Sequence, residues 1–125
     1  MALGWIGLGH MGVPMALRLR RAGHPLNVYN RTVEKTASLV KEGAVALESP
    51  RAVVEQSDII FLMLADAPAI TAVFEQENGL LASKLSEKTL VNLSTISPEQ
   101  SIDFAKQVEQ AGATYLEAPV SGSVG

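Results

Sequence analysis

LGWIGLGHMGVPMALRLRRAG, residues 3–23, runs a strand, a glycine turn and a helix together without a break. Leu3 to Gly7 is a short apolar run closed by glycine, which predicts a buried strand. From Met11 to Ala22 the residues Met11, Met15 and Leu19 recur at every fourth position, the spacing of one helix face. Pro14 falls in the first turn, where its missing N–H costs little, and Gly23 supplies the stop. The join between them, Gly7-Leu8-Gly9-His10-Met11-Gly12, spells G-x-G-x-x-G.

The alternation continues outward from this unit. Leu26 to Asn30 predicts a second strand. Thr32 is placed to cap a helix whose apolar face is Val33, Ala37 and Val40, ended by Gly43. Ala44 to Leu47 is a short third strand, and Ser49-Pro50 opens a brief helix to Gln56 as N-cap and first-turn proline. DIIFLML, residues 58–64, is apolar on both faces, as a central strand of a parallel sheet must be. Asp66 and Pro68 start a helix through Glu75, with Asp66 read as an N-cap rather than a catalytic acid. Leu90 to Leu93 is the fifth strand. Ser97-Pro98-Glu99-Gln100 is a capping box before a helix that stops at Gly112, and Thr114 to Glu117 is the sixth strand. Strands separated by helices imply right-handed crossovers and a parallel sheet. The fold class is therefore α/β, a doubly wound parallel sheet of six strands with the Rossmann NAD(P)-binding architecture. Its strand order, 3-2-1-4-5-6, comes with the fold class and is not read from residues.

Composition sets the outer limits. The chain has 125 residues, 47% hydrophobic and 18% charged, which suits one packed domain and excludes a disordered tail or a collagen-like chain. The net charge is -3 and basic residues form no long run, so nucleic acid is not an expected partner. Arg18, Arg20 and Arg21 read as a solvated helix face. There is no cysteine, and only His10 and His24 offer imidazole, so no metal site is expected. The first residues lack the pattern of a signal peptide and no apolar run is long enough to span a membrane, which makes the cytoplasm the expected compartment.

With a strand before it and a helix after it, the glycine turn reads as a cradle for a dinucleotide pyrophosphate. Gly7 permits the tight turn, Gly9 lets the backbone approach the phosphates, and Gly12 lets the helix pack close to the strand. Free N–H groups at the helix start then attract the anion. His10 lends its backbone there rather than acid–base chemistry. The second strand ends in Asn30-Arg31-Thr32, where an NAD-selective site places Asp or Glu on the ribose hydroxyls. Neutral Asn30 does not repel a 2′-phosphate, Arg31 brings charge and a planar face, and Thr32 offers a hydroxyl. Together they favour NADP over NAD. The plainer alternative makes Arg31 a solvated surface residue and Thr32 only a helix cap.

These residues resemble the β-hydroxyacid dehydrogenase family. Its members include 3-hydroxyisobutyrate dehydrogenase, tartronate semialdehyde reductase and glyoxylate/succinic semialdehyde reductase, with 6-phosphogluconate dehydrogenase a more distant relative. The resemblance rests on the glycine turn with Met11 and Met15, on VYNRT at 28–32, MLAD at 63–66, NLSTISPEQS at 92–101 and EAPVSGS at 117–123. It covers essentially the whole chain. It implies an oxidoreductase that moves hydride between NADP(H) and a small hydroxy acid or aldehyde acid. It implies that Gly7, Leu8, Gly9, His10, Met11 and Gly12 hold the pyrophosphate, and Asn30, Arg31 and Thr32 the adenosine end. Met63, Leu64 and Ala65 would line the middle of the cofactor, Thr95 would approach nicotinamide and substrate, and Ser121 and Gly122 would bind the substrate carboxylate. The bare residues leave other readings open: strand core for Met63 and Leu64, a turn for Thr95, a plain loop for Ser121 and Gly122.

Two departures bear on function. Position 123 is Ser where the family commonly has Gly, a hint toward the glyoxylate and succinic semialdehyde branch. The family's catalytic lysine and all-helical second domain are expected beyond Gly125. Residues 1–125 are therefore expected to form the dinucleotide-binding domain, without a catalytic residue of their own and with little activity alone. Apolar surface matched to that helical partner is expected to favour a homodimer. A non-enzymatic NADP-binding module and an imine reductase are the alternative functions.

Overall fold

The computed structural model describes residues 1–8, 11–64 and 66–118. Its elements run β1 (Leu3–Ile6), α1 (Gly12–Arg21), β2 (Leu26–Tyr29), α2 (Ala37–Lys41), β3 (Val45–Ala46), α3 (Pro50–Glu55), β4 (Ile59–Leu62), α4 (Ala67–Glu75), β5 (Thr89–Asn92), α5 (Pro98–Gln110) and β6 (Thr114–Glu117). All strand pairs are parallel and the six-stranded sheet has the order β3-β2-β1-β4-β5-β6, as the fold class requires. The order reverses between β1 and β4, so the crevice of a doubly wound sheet opens at their carboxyl ends.

Alternation along the strands divides the core in two. Ile6, Ile60, Leu62 and Leu90 bury with Val53 and Val54 of α3, Ile70, Val73 and Phe74 of α4, and Phe104 and Val108 of α5. Leu3, Trp5, Leu26 and Val28 bury on the opposite face with Ala16 of α1 and Leu39 of α2. Strand register aligns Val28, Trp5, Phe61, Val91 and Leu116 in one row on that second face. Trp5 is 1% exposed, Phe61 and Val91 are half-buried, and Leu116 is 52% exposed. Helix cover thus thins from β1 toward β6, leaving apolar surface there.

Caps behave as their side chains dictate. Ser49, Asp66 and Ser97 each accept a backbone N–H at a helix start, and Gln100 completes the capping box of α5. The segment after β2 differs from expectation. It begins as a 3-10 turn over Val33–Thr36, and Thr32 makes no side-chain cap bond. Val33 and Val40 are 69% and 46% exposed, Ala37 is also exposed, and the buried residues are Thr36 and Leu39. Three residues per turn at the start shift the phase, so a 3.6-residue count from Val33 selects the wrong face. In α1 the most buried positions are Gly12 and Ala16, with Met15 and Leu19 packed beside them. Arg20 is not simply solvated: its guanidinium donates to the carbonyls of Glu42 and His24, tying the ends of α1 and α2 together.

Gly4 marks the tightest approach of α3 to the sheet. A Cβ there would lie 2.6 Å from Val53 Cγ1 and 2.9 Å from Ser57 Oγ. Gly4→Ala is expected to cost about 1–3 kcal/mol by overpacking. Urea unfolding would show it as a lower midpoint with unchanged slope; an unchanged midpoint would contradict the packing described.

Candidate functional site at the carboxyl edge of the sheet

The turn after β1 is fixed by backbone contacts that only glycine permits. Gly7 has φ +98°, and a Cβ on it would lie 2.1 Å from the Met63 carbonyl oxygen. A Cβ on Gly12 would lie 2.8 Å from the Gly7 carbonyl oxygen. The helix therefore starts directly against the turn. That same carbonyl accepts the indole N–H of Trp5 at 2.8 Å. Met11, the N-cap of α1, makes no side-chain cap bond, and the first turn carries no acid. Among the described residues no side chain caps the start of α1, which presents the N–H groups and positive dipole end that suit a phosphate.

Asn30 does more than end the second strand. Its Oδ1 accepts the Leu8 N–H at 2.8 Å and its Nδ2 donates to the Thr32 carbonyl at 2.9 Å. One side chain thereby joins the glycine turn to the Asn30-Arg31-Thr32 segment. Leu8 is buried in the core and its N–H is already engaged, so its part in the turn is structural support. Thr32 is exposed and serves the segment through its carbonyl.

Beside the turn lies a cleft of about 480 Å³. Ile6, Gly7, Tyr29, Asn30 and Arg31 form one side, and Leu64 with Ala69, Ala72, Val73 and Gln76 forms the other. Apolar walls with a few polar groups at the rim are what an adenosine moiety needs. Glycine turn, open helix start and cleft together fit a dinucleotide. Met63 packs its side chain on the core under α1 and turns its carbonyl toward Gly7, whereas Leu64 reaches the cleft. Thr95 is exposed just after β5, on the same edge. Gly9, His10, Ala65, Ser121 and Gly122 lie outside the described residues.

The α4 wall escaped the sequence reading, although 69, 72, 73 and 76 are the i, i+3, i+4 and i+7 positions of one helix face. The bonds from Trp5 and Asn30 have no sequence signature. A further chain of polar contacts flanks the cleft. Ser94 Oγ accepts the Leu64 N–H, the Ser94 N–H donates to Asn92 Oδ1, and Asn92 Nδ2 donates to the Tyr115 hydroxyl, at 2.8, 2.9 and 2.9 Å.

A family profile described as the NAD-binding domain of 6-phosphogluconate dehydrogenase matches residues 2–125. The chain belongs to this family. As a member of the 6-phosphogluconate dehydrogenase NAD-binding family it is an NAD(P)-binding domain. It is 50% identical over 123 residues to 2-hydroxy-3-oxopropionate reductase of Escherichia coli (strain K12), covering 98% of this chain and 41% of that protein. Among solved structures it is similar to Psf3 in complex with NADP+ and 2-OPP, with TM-score 0.90 and 35% identity over 98% of this chain and 44% of that one. It is also similar to the imine reductase from Myxococcus stipitatus in complex with NADP+, with TM-score 0.89 and 28% identity over 98% of this chain and 42% of that one. The chain thus spans about two fifths of the length of the relatives it matches.

Two outcomes test this geometry. Gly12→Ala gains up to about 1 kcal/mol of helix propensity but meets the Gly7 carbonyl. Because that carbonyl is backbone, the clash outweighs the gain: stability is expected to fall by about 1–3 kcal/mol, and NADPH affinity roughly tenfold or more as the turn shifts. Unaltered affinity in a fluorescence titration would overturn the assignment of this turn. The second concerns Tyr115, whose phenol burial holds above its ordinary pKa of 10.0; the Asn92 hydrogen bond opposes this and the Glu117 charge adds to it. The fold favours the neutral phenol, so that contribution is whole below about pH 10 and fades as pH rises through the folded-state value. The stability difference between the unaltered chain and Tyr115→Phe should therefore narrow in urea titrations carried above about pH 10. A pH-independent difference would contradict it.

Proposed function

We propose that this chain is the cofactor-binding part of an NADP-dependent oxidoreductase that acts on a small hydroxy acid or the corresponding aldehyde acid. The observation that carries the cofactor preference is the end of β2. No carboxylate stands there; Asn30 is spent on the turn, and Arg31 lines the cleft as a permanent cation. A 2′-phosphate would meet attraction at this position, and a ribose diol would find no acid to accept its hydrogen bonds.

When bound, the nicotinamide supplies or accepts the hydride. The chain's own part is orientation. The Gly7–Gly12 turn and the start of α1 hold the pyrophosphate, with Gly9, His10 and Met11 lending backbone N–H groups. Arg31 and Thr32 hold the adenosine end, between Arg31 and the Ala72–Gln76 face of α4. Leu64 and Ala65, with the backbone of Met63, bound the middle of the cofactor. Thr95 faces the reacting end, and Ser121 and Gly122 receive the substrate carboxylate. In this reading residues 1–125 form the dinucleotide-binding domain and hold no catalytic residue of their own. Residues 1–125 alone then bind NADP(H) with little turnover.

The 2-hydroxy-3-oxopropionate reductase at 50% identity favours hydroxy-acid chemistry over the imine reductases, represented by a structure at 28%. Turnover of imines but not of small aldehyde acids by the full-length protein would reverse that choice. No helix among the described residues is long and apolar enough to cross a membrane. We assign the protein to the cytoplasm, which imaging of the tagged full-length protein would check. The exposed Leu116 supports self-association of the chain, readable by light scattering.

The deciding experiment is a paired titration with NADPH and NADH. NADPH should bind more tightly, and Arg31→Ala should weaken NADPH by roughly 10- to 100-fold, the worth of a charge-assisted hydrogen bond, with NADH little changed. Tighter binding of NADH by the unaltered chain would refute the preference.

A further inference from the structure

Among the described residues, Arg31, Thr32 and Thr95 are exposed at the carboxyl edge. Close by, three polar side chains are wholly or partly removed from solvent. Asn92 is fully buried, Ser94 is nearly so, and Tyr115 is half-buried. Each is tied to the next across strands. The Tyr115 hydroxyl on β6 accepts from Asn92 Nδ2 on β5, and Asn92 Oδ1 accepts the N–H of Ser94. Ser94 Oγ accepts the Leu64 N–H in the loop after β4. At the β6 end, Ser101 of α5 donates to the Glu117 carboxylate. The chain of bonds ends on Leu64, which lines the cleft.

A buried polar group with all partners in place is worth little net stability, but it fixes one geometry. Leu64 follows β4 where ladder pairing has ended: the last bonds of this kind are the Leu93 N–H to the Leu62 carbonyl and the Met63 N–H to the Ile6 carbonyl. Beyond them, the Ser94 hydroxyl is the group that holds the Leu64 N–H. The peptide before Leu64 also carries the Met63 carbonyl that abuts Gly7. A shift at Leu64 is therefore felt at both the cleft wall and the glycine turn.

We propose that Ser94 is a positioning residue for the dinucleotide. Its backbone N–H is held by Asn92, which is itself anchored through Tyr115 to β6, and from that fixed backbone its hydroxyl sets the Leu64 peptide and with it the cleft wall opposite Arg31. Ser94 acts through the backbone and touches no reacting atom. The inference rests on the reading that this cleft takes the cofactor.

The test compares the unaltered chain with Ser94→Ala, Ser94→Thr, Tyr115→Phe and the remote Gly4→Ala, measuring NADPH affinity and hydrogen exchange at the Leu64 amide without cofactor. Ser94→Ala should weaken NADPH roughly tenfold, the factor expected for one buried N–H left unpaired, and should speed Leu64 exchange. Ser94→Thr keeps the hydroxyl and should restore both. Tyr115→Phe, two bonds away, should give the same changes to a smaller degree. Gly4→Ala lowers stability where β1 packs on α3, in contact with neither Ser94 nor Leu64, and should leave NADPH affinity within about twofold. Ser94→Ala with unchanged affinity, or Gly4→Ala with an equal loss, would overturn the inference, the latter by showing general loosening. Failure of the unaltered chain to bind NADPH would instead overturn the cofactor reading and take this inference with it. Slow Leu64 exchange in Ser94→Ala would refute the positioning role independently of any ligand.

Discussion

The carbonyl of Gly7 is the fixed point of this molecule. It receives the Trp5 indole N–H from below and stands against the Cα of Gly12, while the Cα of Gly7 itself lies over the Met63 carbonyl. Three chain segments, β1, the start of α1 and the exit of β4, therefore meet with no room for a side chain. Their meeting fixes where α1 begins and in which direction its first N–H groups point. The crevice between β1 and β4 has a floor because of it. Anion binding by such a turn depends less on favourable contacts than on exclusion, since any Cβ at Gly7 or Gly12 would separate the segments.

Around that point the polar side chains at the carboxyl edge are used largely as braces. Asn30 spends its amide on Leu8 and Thr32, and Ser94 spends its oxygen on Leu64. Such bonds replace ladder pairing where strands end and loops begin, which is also where ligand contacts must be made. Loops of a parallel sheet have no neighbouring strand to hold them, so side-chain-to-backbone bonds take over that role. The result is a ligand surface made mostly of backbone and small residues, resting on a buried polar layer.

Fold class was readable because its signals are local and repeated. Most strands are short and largely apolar, three helix starts carry a side-chain cap, and the glycine turn sits between the first strand and helix. Ser49, Asp66 and Ser97 cap as their residue types require. The segment at Val33 was not readable by the same rule, since a 3-10 start changes the period before the helix is long enough to display one. At the site, Gly7, Gly12 and the Asn30-Arg31-Thr32 segment announce themselves by type and position. The bonds of Trp5 and of Asn92, Ser94 and Tyr115 do not, because they join residues brought together only when parallel strands register. Nothing in Tyr115 as a letter distinguishes a hydroxyl that anchors β5 from one that faces water.

The two edges of the sheet are built differently. β3 has two residues and pairs with Asn27 and Val28 only, so it presents little free backbone to another strand. β6 has four residues in full register with β5, and among the described residues its outer side presents a run of N–H and C=O groups beside the exposed Leu116. An edge so short cannot template further pairing, whereas one so regular can. The sheet therefore has a polarity of growth: a strand added to it, whether from the same polypeptide or another, has one edge to join and is turned away at the other.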